Sequence, residues 1–342
     1  MGCTNPSSLY ALPFVTIYYS LLPPLVPLET RKEMKRRAAL SLVAGFLLVN
    51  GACPLWAGQG SPAGHASRIP VLTYHSHRVL GTTYEANDHV AFHRDLRTIH
   101  AQGFRVIPLR WVVEWVLGRR DGSTLHRSVA ITFDDGPDLD YYGLYHPQYG
   151  HQRSFYNILL DFQAEVGASA QPHLHASSFV IASPAARREL DAQNLGGRGW
   201  MTDTWWKEAN SSGIMSIFNH SWDHNHPDVR RVCEQDQRKG SFEVIDTYTE
   251  CRCEVEQAAM FIHRKIHPAW PVVFAYPWGQ SSAYVRENCL PYFRDRHHTL
   301  AAFGAGGVYV TRSSPRWNLP RFVSGAGWQT TDEFIRILDR AR

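Results

Sequence analysis

Short apolar runs alternate with helix-like stretches from residue 68 to the C-terminus. Unbroken apolar runs indicate buried strands, whereas apolar residues three or four positions apart indicate helices. The predicted strands cover residues 69–75, 105–109, 129–133, 177–181, 214–218, 272–276, 300–303 and 309–311. The predicted helices cover residues 90–103, 111–117, 155–166, 203–210, 242–266 and 331–338. This alternation is typical of parallel strands joined by crossovers, so we expect an α/β fold whose sheet closes, or nearly closes, into a barrel.

The N-terminal segment has a different pattern. Met34 opens a short basic stretch, which is followed by an apolar run over 38–49 and by small residues up to Ala57. This order is typical of a secretory signal peptide over 34–57. The apolar run is too short to favour a stable transmembrane helix, and an uncleaved membrane anchor is the alternative.

The signal peptide sets the expected domain boundaries. Residues 1–33 carry four prolines within their apolar part, which suit neither a helix nor a strand. We therefore predict that translation starts at Met34 and that 1–33 is a mis-assigned extension. Residues 58–67 would form a short linker to a single domain over 68–342, because no charged or linker-like block interrupts that region.

Net charge and cysteine content narrow the function classes. Five basic and two acidic residues fall within 1–57, so the rest of the 342-residue chain carries only +1 of the total charge of +4. A nucleic-acid-binding protein normally has a basic body, so this class is disfavoured. All 18 histidines lie beyond residue 57, a first indication of metal or acid–base chemistry. Four cysteines after the signal peptide are compatible with two disulfides in an oxidising compartment, namely Cys233, Cys251, Cys253 and Cys289.

Two adjacent carboxylates follow the predicted strand 129–133. Asp134 and Asp135 precede Gly136-Pro137, which ends the strand. Adjacent side chains at a strand end cannot both enter an apolar core, and neighbouring acids can divide the work of metal binding and proton transfer. An ordinary turn is the simpler interpretation of this segment alone.

A histidine-rich segment follows the predicted strand 214–218. If the chain turns helical there, His220 and His224 lie four positions apart on one face and could bind one metal ion. His226 is an alternative to His224 as the second ligand. A histidine-rich surface loop is the other interpretation of this segment.

A third segment follows the predicted strand 272–276. Pro277, Trp278 and Gly279 predict a tight turn whose backbone N–H groups could face a ligand. By itself, a plain turn is the simpler interpretation.

In this order, the three segments resemble the signature motifs of the polysaccharide deacetylase family, also called the NodB-homology domain or carbohydrate esterase family 4. The opening I-P-V-L-T-Y-H and the late W-x-L-P-R around Arg321 resemble its exported branch, which contains biofilm poly-N-acetylglucosamine deacetylases. The resemblance runs from about Pro70 to the C-terminus and implies a distorted (β/α) barrel. It also implies a metal-dependent hydrolase that removes N-acetyl groups from a periplasmic, cell-envelope or secreted glycan, such as poly-N-acetylglucosamine, peptidoglycan or a chitin-like polymer.

The resemblance implies roles for individual residues. Asp135, His220 and His224 would bind a divalent cation, with Zn²⁺ expected and Co²⁺ or Ni²⁺ as alternatives. Asp134 would be the base that takes a proton from the attacking water. Oxyanion stabilisation and substrate binding would fall to the backbone N–H of Trp278 and to Pro277, Gly279, Arg321 and Trp222.

Two departures from the family pattern bear on activity. Ala275 stands where common members have an arginine that orients the catalytic aspartate, and no histidine follows residue 322. Arg321 and His75 are candidates to replace the missing groups, with His75 as the general acid. A buried core histidine is an equal alternative for His75, and without replacement the activity would be reduced or altered.

Two other functions fit the same fold. A degenerate site would leave a glycan-binding or assembly protein, and the same attack of water on an ester would give an O-acetyl esterase. We expect a glycan partner, no nucleic acid, and membrane contact only through the signal peptide or an uncleaved anchor. The aromatic and histidine-rich insertion at 138–178 either walls the substrate groove or is a surface excursion that packs on itself.

Overall fold

The computed structural model describes residues 67–229 and 240–342. The predicted extension, the signal peptide, nearly all of the linker and Cys233 therefore lie outside the described residues. Within these two ranges, no helix has both the length and the apolar character needed to span a membrane.

Short strands and helices alternate along the described chain. The strands are β1 (Val71–Tyr74), β2 (Arg105–Ile107), β3 (Ser128–Phe133), β4 (Leu144–His146), β5 (Gly150–Gln152), β6 (Ala176–Val180), β7 (Met215–Asn219), β8 (Val273–Ala275), β9 (Ala301–Phe303) and β10 (Phe322–Val323). The helices are α1 (Asp88–Ala101), α2 (Leu109–Val116), α3 (Phe155–Val166), α4 (Pro184–Asn194), α5 (Trp206–Ser211), α6 (Tyr248–Cys251), α7 (Ala258–Ile266), α8 (Leu290–Tyr292), α9 (Arg294–His297) and α10 (Thr331–Asp339). A π-helical segment, Arg252–Gln257, joins α6 to α7, and a second one, Val285–Cys289, precedes α8.

The main sheet is parallel and curls into a barrel. Its strand order is β10-β1-β3-β6-β7-β8-β9, with β2 paired to the first half of β3. Leu319 pairs with Phe303 of β9, and three residues later Phe322 pairs with Leu72 of β1. This short segment thus bridges the two ends of the sheet. The predicted α/β fold, a distorted (β/α) barrel, is confirmed.

Alternation along each strand divides the core into two layers. Successive side chains of a strand point to opposite faces of the sheet. On β3, Ile131 and Phe133 belong to the outer layer with Phe92 and Phe155 from the covering helices. Ala130 belongs to the inner layer, which fills the barrel. At the carboxyl ends of the strands, polar side chains take the place of the apolar inner layer, as expected for this class of fold.

Two predicted elements differ from the structure. The helix predicted over 242–266 begins at Tyr248, because Thr247 and Glu250 form a capping box that fixes its first turn. The strand predicted over 309–311 is wrong. Only Val310 forms a bridge there, and it pairs antiparallel with Ile69.

No helix or strand is predicted at six of the elements: β4, β5, α4, α8, α9 and β10. The hairpin β4–β5 lies within the 138–178 insertion, and β10 is only two residues long. Helix α4 begins after Ser183, whose side chain accepts a hydrogen bond from the Ala186 N–H, and Pro184 occupies its first turn. This serine–proline start is a recognisable helix signal that hydrophobic periodicity alone does not detect.

Candidate active site

The acidic segment turns sharply as it leaves β3. Asp135 has a left-handed backbone with φ 72°, and Gly136 follows with φ 67°. A Cβ atom at Gly136 would lie 2.5 Å from Cγ1 of Val180, so only glycine fits there. Because of this turn the two carboxylates reach different partners: Asp134 contacts Arg321, and Asp135 contacts the histidine segment.

Asp135, His220 and His224 come together at the carboxyl end of the barrel. Oδ1 of Asp135 lies 3.5 Å from Nε2 of His220 and 3.4 Å from Nε2 of His224. One ligand atom from each residue lies within 4.8 Å of the other two. Nδ1 of His220 donates a hydrogen bond to the Ala275 carbonyl at 2.9 Å, so Nε2 is the nitrogen that faces the carboxylate.

A loop, not a helix, brings the two histidines together. Ser221, His224 and Asn225 have φ values of 74°, 64° and 46°, so the helical arrangement considered from the sequence is wrong. The Ser221 hydroxyl accepts a hydrogen bond from the His224 N–H at 2.8 Å. From the π-helical segment, the Glu254 carboxylate accepts hydrogen bonds from the Trp222 and Asp223 N–H groups at 3.2 and 3.3 Å. The close approach of His220 and His224 therefore depends on a strained loop fixed from behind.

The charges at this cluster favour an ionised carboxylate and act differently on the two imidazoles. Burial lowers the pKa of His220, but the charge of Asp134 and the hydrogen bond to Asp135 outweigh it and raise that pKa above the ordinary value. Burial raises the pKa of Asp135, but hydrogen bonding to His220 and the charge of His224 outweigh it and hold the pKa well below its usual value. Burial lowers the pKa of His224 to about 3. A deprotonated carboxylate and an unprotonated imidazole nitrogen are the forms that bind metals.

Asp134 forms a two-pronged ion pair with Arg321. Nη1 and Nη2 of the guanidinium donate to Oδ1 and Oδ2 of the carboxylate at 2.7 and 2.8 Å. The Arg321 Nε donates to the Gly304 carbonyl at 2.9 Å, and both side chains of the pair are buried. Burial raises the pKa of Asp134, but the charges of Arg321 and His220 lower it below the ordinary value. Arg321, just before β10, therefore contacts the Asp134 carboxylate. The side chain of Ala275, at the position of the family's arginine, cannot make this contact.

The third segment forms the predicted tight turn. Trp278 has a left-handed backbone with φ 52°, and Gly279 has φ 69°. A Cβ atom at Gly279 would lie 2.6 Å from Cβ of Ala305, which explains the glycine. The Gly279 N–H donates to the Tyr276 carbonyl, whereas the Trp278 N–H has no acceptor among the described residues. The Trp278 ring is 43% exposed and lies 4.4 Å from the His224 ring, nearly edge to face.

These groups line one cavity of about 640 Å³. His75 and His226 line it together with the metal-type cluster, Asp134, Arg321, Trp278 and Gly279. His226 lies outside the cluster of three that could hold an ion, and its ring is 5.9 Å from that of His224. His224 and His226 were the two candidates for the second histidine ligand. The loop brings His224, and not His226, to Asp135.

Two residues considered for substrate binding lie away from the cavity wall. Trp222 packs against Phe261 of α7 with ring centroids 5.8 Å apart. Pro277 is buried beneath the turn that it begins. Trp222 points away from the cavity because the preceding left-handed Ser221 turns the chain between His220 and Trp222.

Sequence reasoning missed two polar residues beside the site. Nδ1 of His77 lies 3.6 Å from Oδ2 of Asp135, whereas His220 and His224 face the other carboxylate oxygen, Oδ1. Asp140 is fully buried and accepts hydrogen bonds from the hydroxyls of Ser76 and Ser178 at 2.5 and 2.6 Å. Burial raises the pKa of Asp140 to about 8. The His75-x-His77 spacing was the available signal for the first, and nothing in the local sequence indicated the second.

Comparisons with known proteins bear on the family and the fold. A family model described as polysaccharide deacetylase matches residues 121–290. The fold is similar to that of the Streptococcus pyogenes deacetylase PplD, solved with acetate, at 16% identity over 80% of this chain and 99% of that one, with a TM-score of 0.54. It is also similar to IcaB from Ammonifex degensii, at 19% identity over 80% of this chain and 97% of that one, with a TM-score of 0.50. A search of curated proteins gives no match.

Proposed function

Because this chain belongs to the polysaccharide deacetylase family, we propose that it hydrolyses the N-acetyl groups of an N-acetylated glycan outside the cytoplasm. One observation carries the proposal. A buried, arginine-paired carboxylate, Asp134, lies next to a cluster of one aspartate and two histidines in a single cavity. This pairing of a proton acceptor with a metal-type cluster is the arrangement that hydrolysis by activated water requires.

The cluster of Asp135, His220 and His224 fits a divalent cation. Two imidazoles and one carboxylate are a donor set that zinc takes in catalytic sites, with further positions left for water and substrate. The hydrogen bond from His220 Nδ1 to the Ala275 carbonyl supports this fit, because it orients the ring so that Nε2 is the nitrogen available to a cation. Such a cation supplies Lewis acidity that lowers the pKa of water and polarises the acetyl carbonyl. We propose Zn²⁺, with Co²⁺ or Ni²⁺ as alternatives.

The proton movements are assigned to this chain's own residues. The Asp134 carboxylate accepts a proton from the water that adds to the acetyl carbon, and Arg321 holds that carboxylate charged and oriented. We assign the stabilisation of the negative charge that develops on the acetyl oxygen to the Trp278 N–H, which has no acceptor within the described chain. When the carbon–nitrogen bond breaks, His75 donates a proton to the leaving amine, and acetate is released. Gly279 and Arg321 line the same cavity, and we assign them to substrate binding.

The cellular setting is part of the proposal. We assign a signal peptide to residues 34–57 and one catalytic domain to 68–342. The disulfide between Cys251 and Cys289 supports an oxidising compartment, and Cys253 is disulfide-bonded as well. The proposed substrates are poly-N-acetylglucosamine, peptidoglycan and chitin-like glycans.

The proposal is tested by acetate release from N-acetylglucosamine oligomers, with Asp134→Asn as the decisive variant. We expect the rate to fall about 1,000-fold, because an amide cannot accept the proton from water. Asp161→Asn, at an exposed position on α3, is the matched control and should keep the wild-type rate. Full activity of Asp134→Asn would refute the assignment. Release from an acetyl ester but not from the amide would identify an O-acetyl esterase, and metal binding without release from either would identify a binding protein.

A further inference from the structure

Asp140 is a buried aspartate that the proposed hydrolysis does not use. It lies in a short 3₁₀ turn within the 138–178 insertion. Its Oδ1 is hydrogen-bonded to the Ser76 hydroxyl at 2.5 Å, and its Oδ2 to the Ser178 hydroxyl at 2.6 Å. Ser76 follows β1 and Ser178 lies on β6, and these are the two strands on either side of β3. Asp140 therefore connects the two neighbours of the strand that leads into the acidic segment.

Ser76 stands between two histidines that line the active-site cavity. His75 is the proposed general acid, and Nδ1 of His77 lies 3.6 Å from Oδ2 of Asp135. The Ser76 carbonyl accepts a hydrogen bond from Nε2 of His89 on α1 at 2.7 Å. Ser76 is thus held through its backbone as well as its side chain. The place of the neighbouring His75 ring depends on both attachments.

The surroundings of Asp140 favour its uncharged form. The carboxyl group is fully buried, and among the described residues it contacts two hydroxyls and pairs with no cationic side chain. Burying a lone carboxylate is costly, and the charges of Asp135 and Asp134 nearby add to that cost. Burial raises the pKa of Asp140 to about 8, although the two hydroxyls oppose the shift. A hydroxyl can donate or accept, so the two serines can satisfy the protonated acid as well.

We propose that Asp140 is a positioning residue for the deacetylation. Through Ser76 it holds the His75 ring at the site, and it does so as an uncharged acid. An uncharged group suits this place, because a third negative charge would repel Asp134 and Asp135. This inference rests on the proposed function for the role of His75.

The test compares two leaving groups. An amine needs a proton to leave, whereas 4-nitrophenolate leaves as a stable anion and needs none. We expect Asp140→Ala to lower kcat/KM about tenfold for an N-acetylglucosamine oligomer and less than about twofold for 4-nitrophenyl acetate. The loss is partial because the His75 N–H keeps its hydrogen bond to Asp88. Asp140→Asn should keep both rates, since its amide also donates to one hydroxyl and accepts from the other.

Asp138→Asn is the matched control. Asp138 lies in the same 3₁₀ turn and is also buried, but its carboxylate accepts hydrogen bonds from Thr202 and Trp205 rather than from Ser76. This variant should leave the ratio of the two rates unchanged. Ser76→Ala removes the same bond from its other end and should reproduce the tenfold loss. It replaces Asp140→Ala if that variant does not fold.

A second readout does not depend on turnover. In metal-free protein, the NMR correlation of the His75 ring Cε1–H is identified by its loss in His75→Gln. It should shift in Asp140→Ala and in Ser76→Ala, and stay in place in Asp140→Asn. If wild type hydrolyses neither substrate, the proposed hydrolysis fails, and this measurement still decides whether Asp140 holds the ring. Equal losses with both substrates in Asp140→Ala, an unshifted His75 signal, or an equally slow Asp140→Asn would overturn the positioning role.

Discussion

Two buried aspartates in this protein have opposite electrostatic surroundings. Asp134, at the carboxyl end of β3, is held by the guanidinium of Arg321, which keeps its pKa below the ordinary value against the effect of burial. Asp95 lies on the core face of α1. Among the described residues it accepts hydrogen bonds from uncharged donors alone, the hydroxyls of Tyr74 and Tyr84 and the indole of Trp328. Burial raises the pKa of Asp95 to about 7, although the three donors oppose the shift.

The difference separates a carboxylate kept for chemistry from one kept for structure. Burying a charge is costly unless a partner of opposite charge compensates it. The protein provides that compensation for Asp134, beside the metal-type cluster. Asp95 instead joins β1, the following loop and the C-terminal Trp328 through hydrogen bonds that also suit a protonated acid. A buried aspartate is therefore a catalytic candidate here only where a cation holds it ionised.

Removing the cation from the first site should have the largest effect. Arg321→Met leaves Asp134 buried without compensation, so we expect acetate release to fall about 100-fold. The free energy of unfolding should fall by about 3–5 kcal/mol, as for other broken buried ion pairs. Steady-state kinetics and denaturant unfolding measure both. Arg321→Lys is the control: it keeps the charge but loses the two-pronged geometry, and its activity should be intermediate.

Changing the second site should alter the pH dependence of stability. The folded pKa of Asp95 of about 7 exceeds the usual aspartate value of 3.8, so the native state holds an extra proton between these values. Wild type should therefore lose stability as the pH rises from about 4 to about 7, by at most about 4 kcal/mol from this group. Asp95→Asn should flatten that loss in thermal unfolding. A comparable contribution should remain in the variant up to about pH 8, because burial raises the folded pKa of Asp140 to about 8.

The stability test has a control variant and a result that would contradict the prediction. Asp161→Asn, at an exposed position, should leave the pH slope unchanged. If Asp95→Asn lost stability with pH as steeply as wild type, Asp95 would be ionised in the folded protein. The two aspartates would then not differ in their ionisation state.

The smallest effect is expected from the hydroxyl that supports the arginine. Thr132 Oγ1 accepts a hydrogen bond from Arg321 Nη1 at 3.3 Å and donates one to the Leu72 carbonyl at 3.0 Å. Thr132→Val should cost about 1 kcal/mol of stability and slow acetate release only a few-fold, because both direct bonds to Asp134 remain. A rate loss as large as that of Arg321→Met would show that the ion pair depends on this hydroxyl.

The sequence predicted the barrel well because strand and helix periods are local properties. It also brought together Asp134, Asp135, His220 and His224 as candidates, since each follows a recognisable strand. The reason for their proximity was not predictable. Left-handed residues build the histidine loop where a helix was considered, because hydrogen bonds from distant segments fix it.

Long-range contacts explain the remaining gaps between sequence and structure. Arg321 lies 187 positions from Asp134, and only closure of the sheet brings them into contact. Trp222 was expected at the substrate, yet the loop turns it toward Phe261. The hairpin β4–β5 contains no periodic pattern strong enough to predict its position.

Acetate release by metal-stripped and zinc-reloaded protein tests the central claim most directly. Wild type and His220→Ala are treated with a chelator, reloaded with Zn²⁺, analysed for bound metal, and given an N-acetylglucosamine oligomer. The account predicts one bound zinc per wild-type chain, acetate release that chelation abolishes and zinc restores, and loss of both metal and activity in His220→Ala. Undiminished acetate release by chelated wild type or by His220→Ala would contradict it.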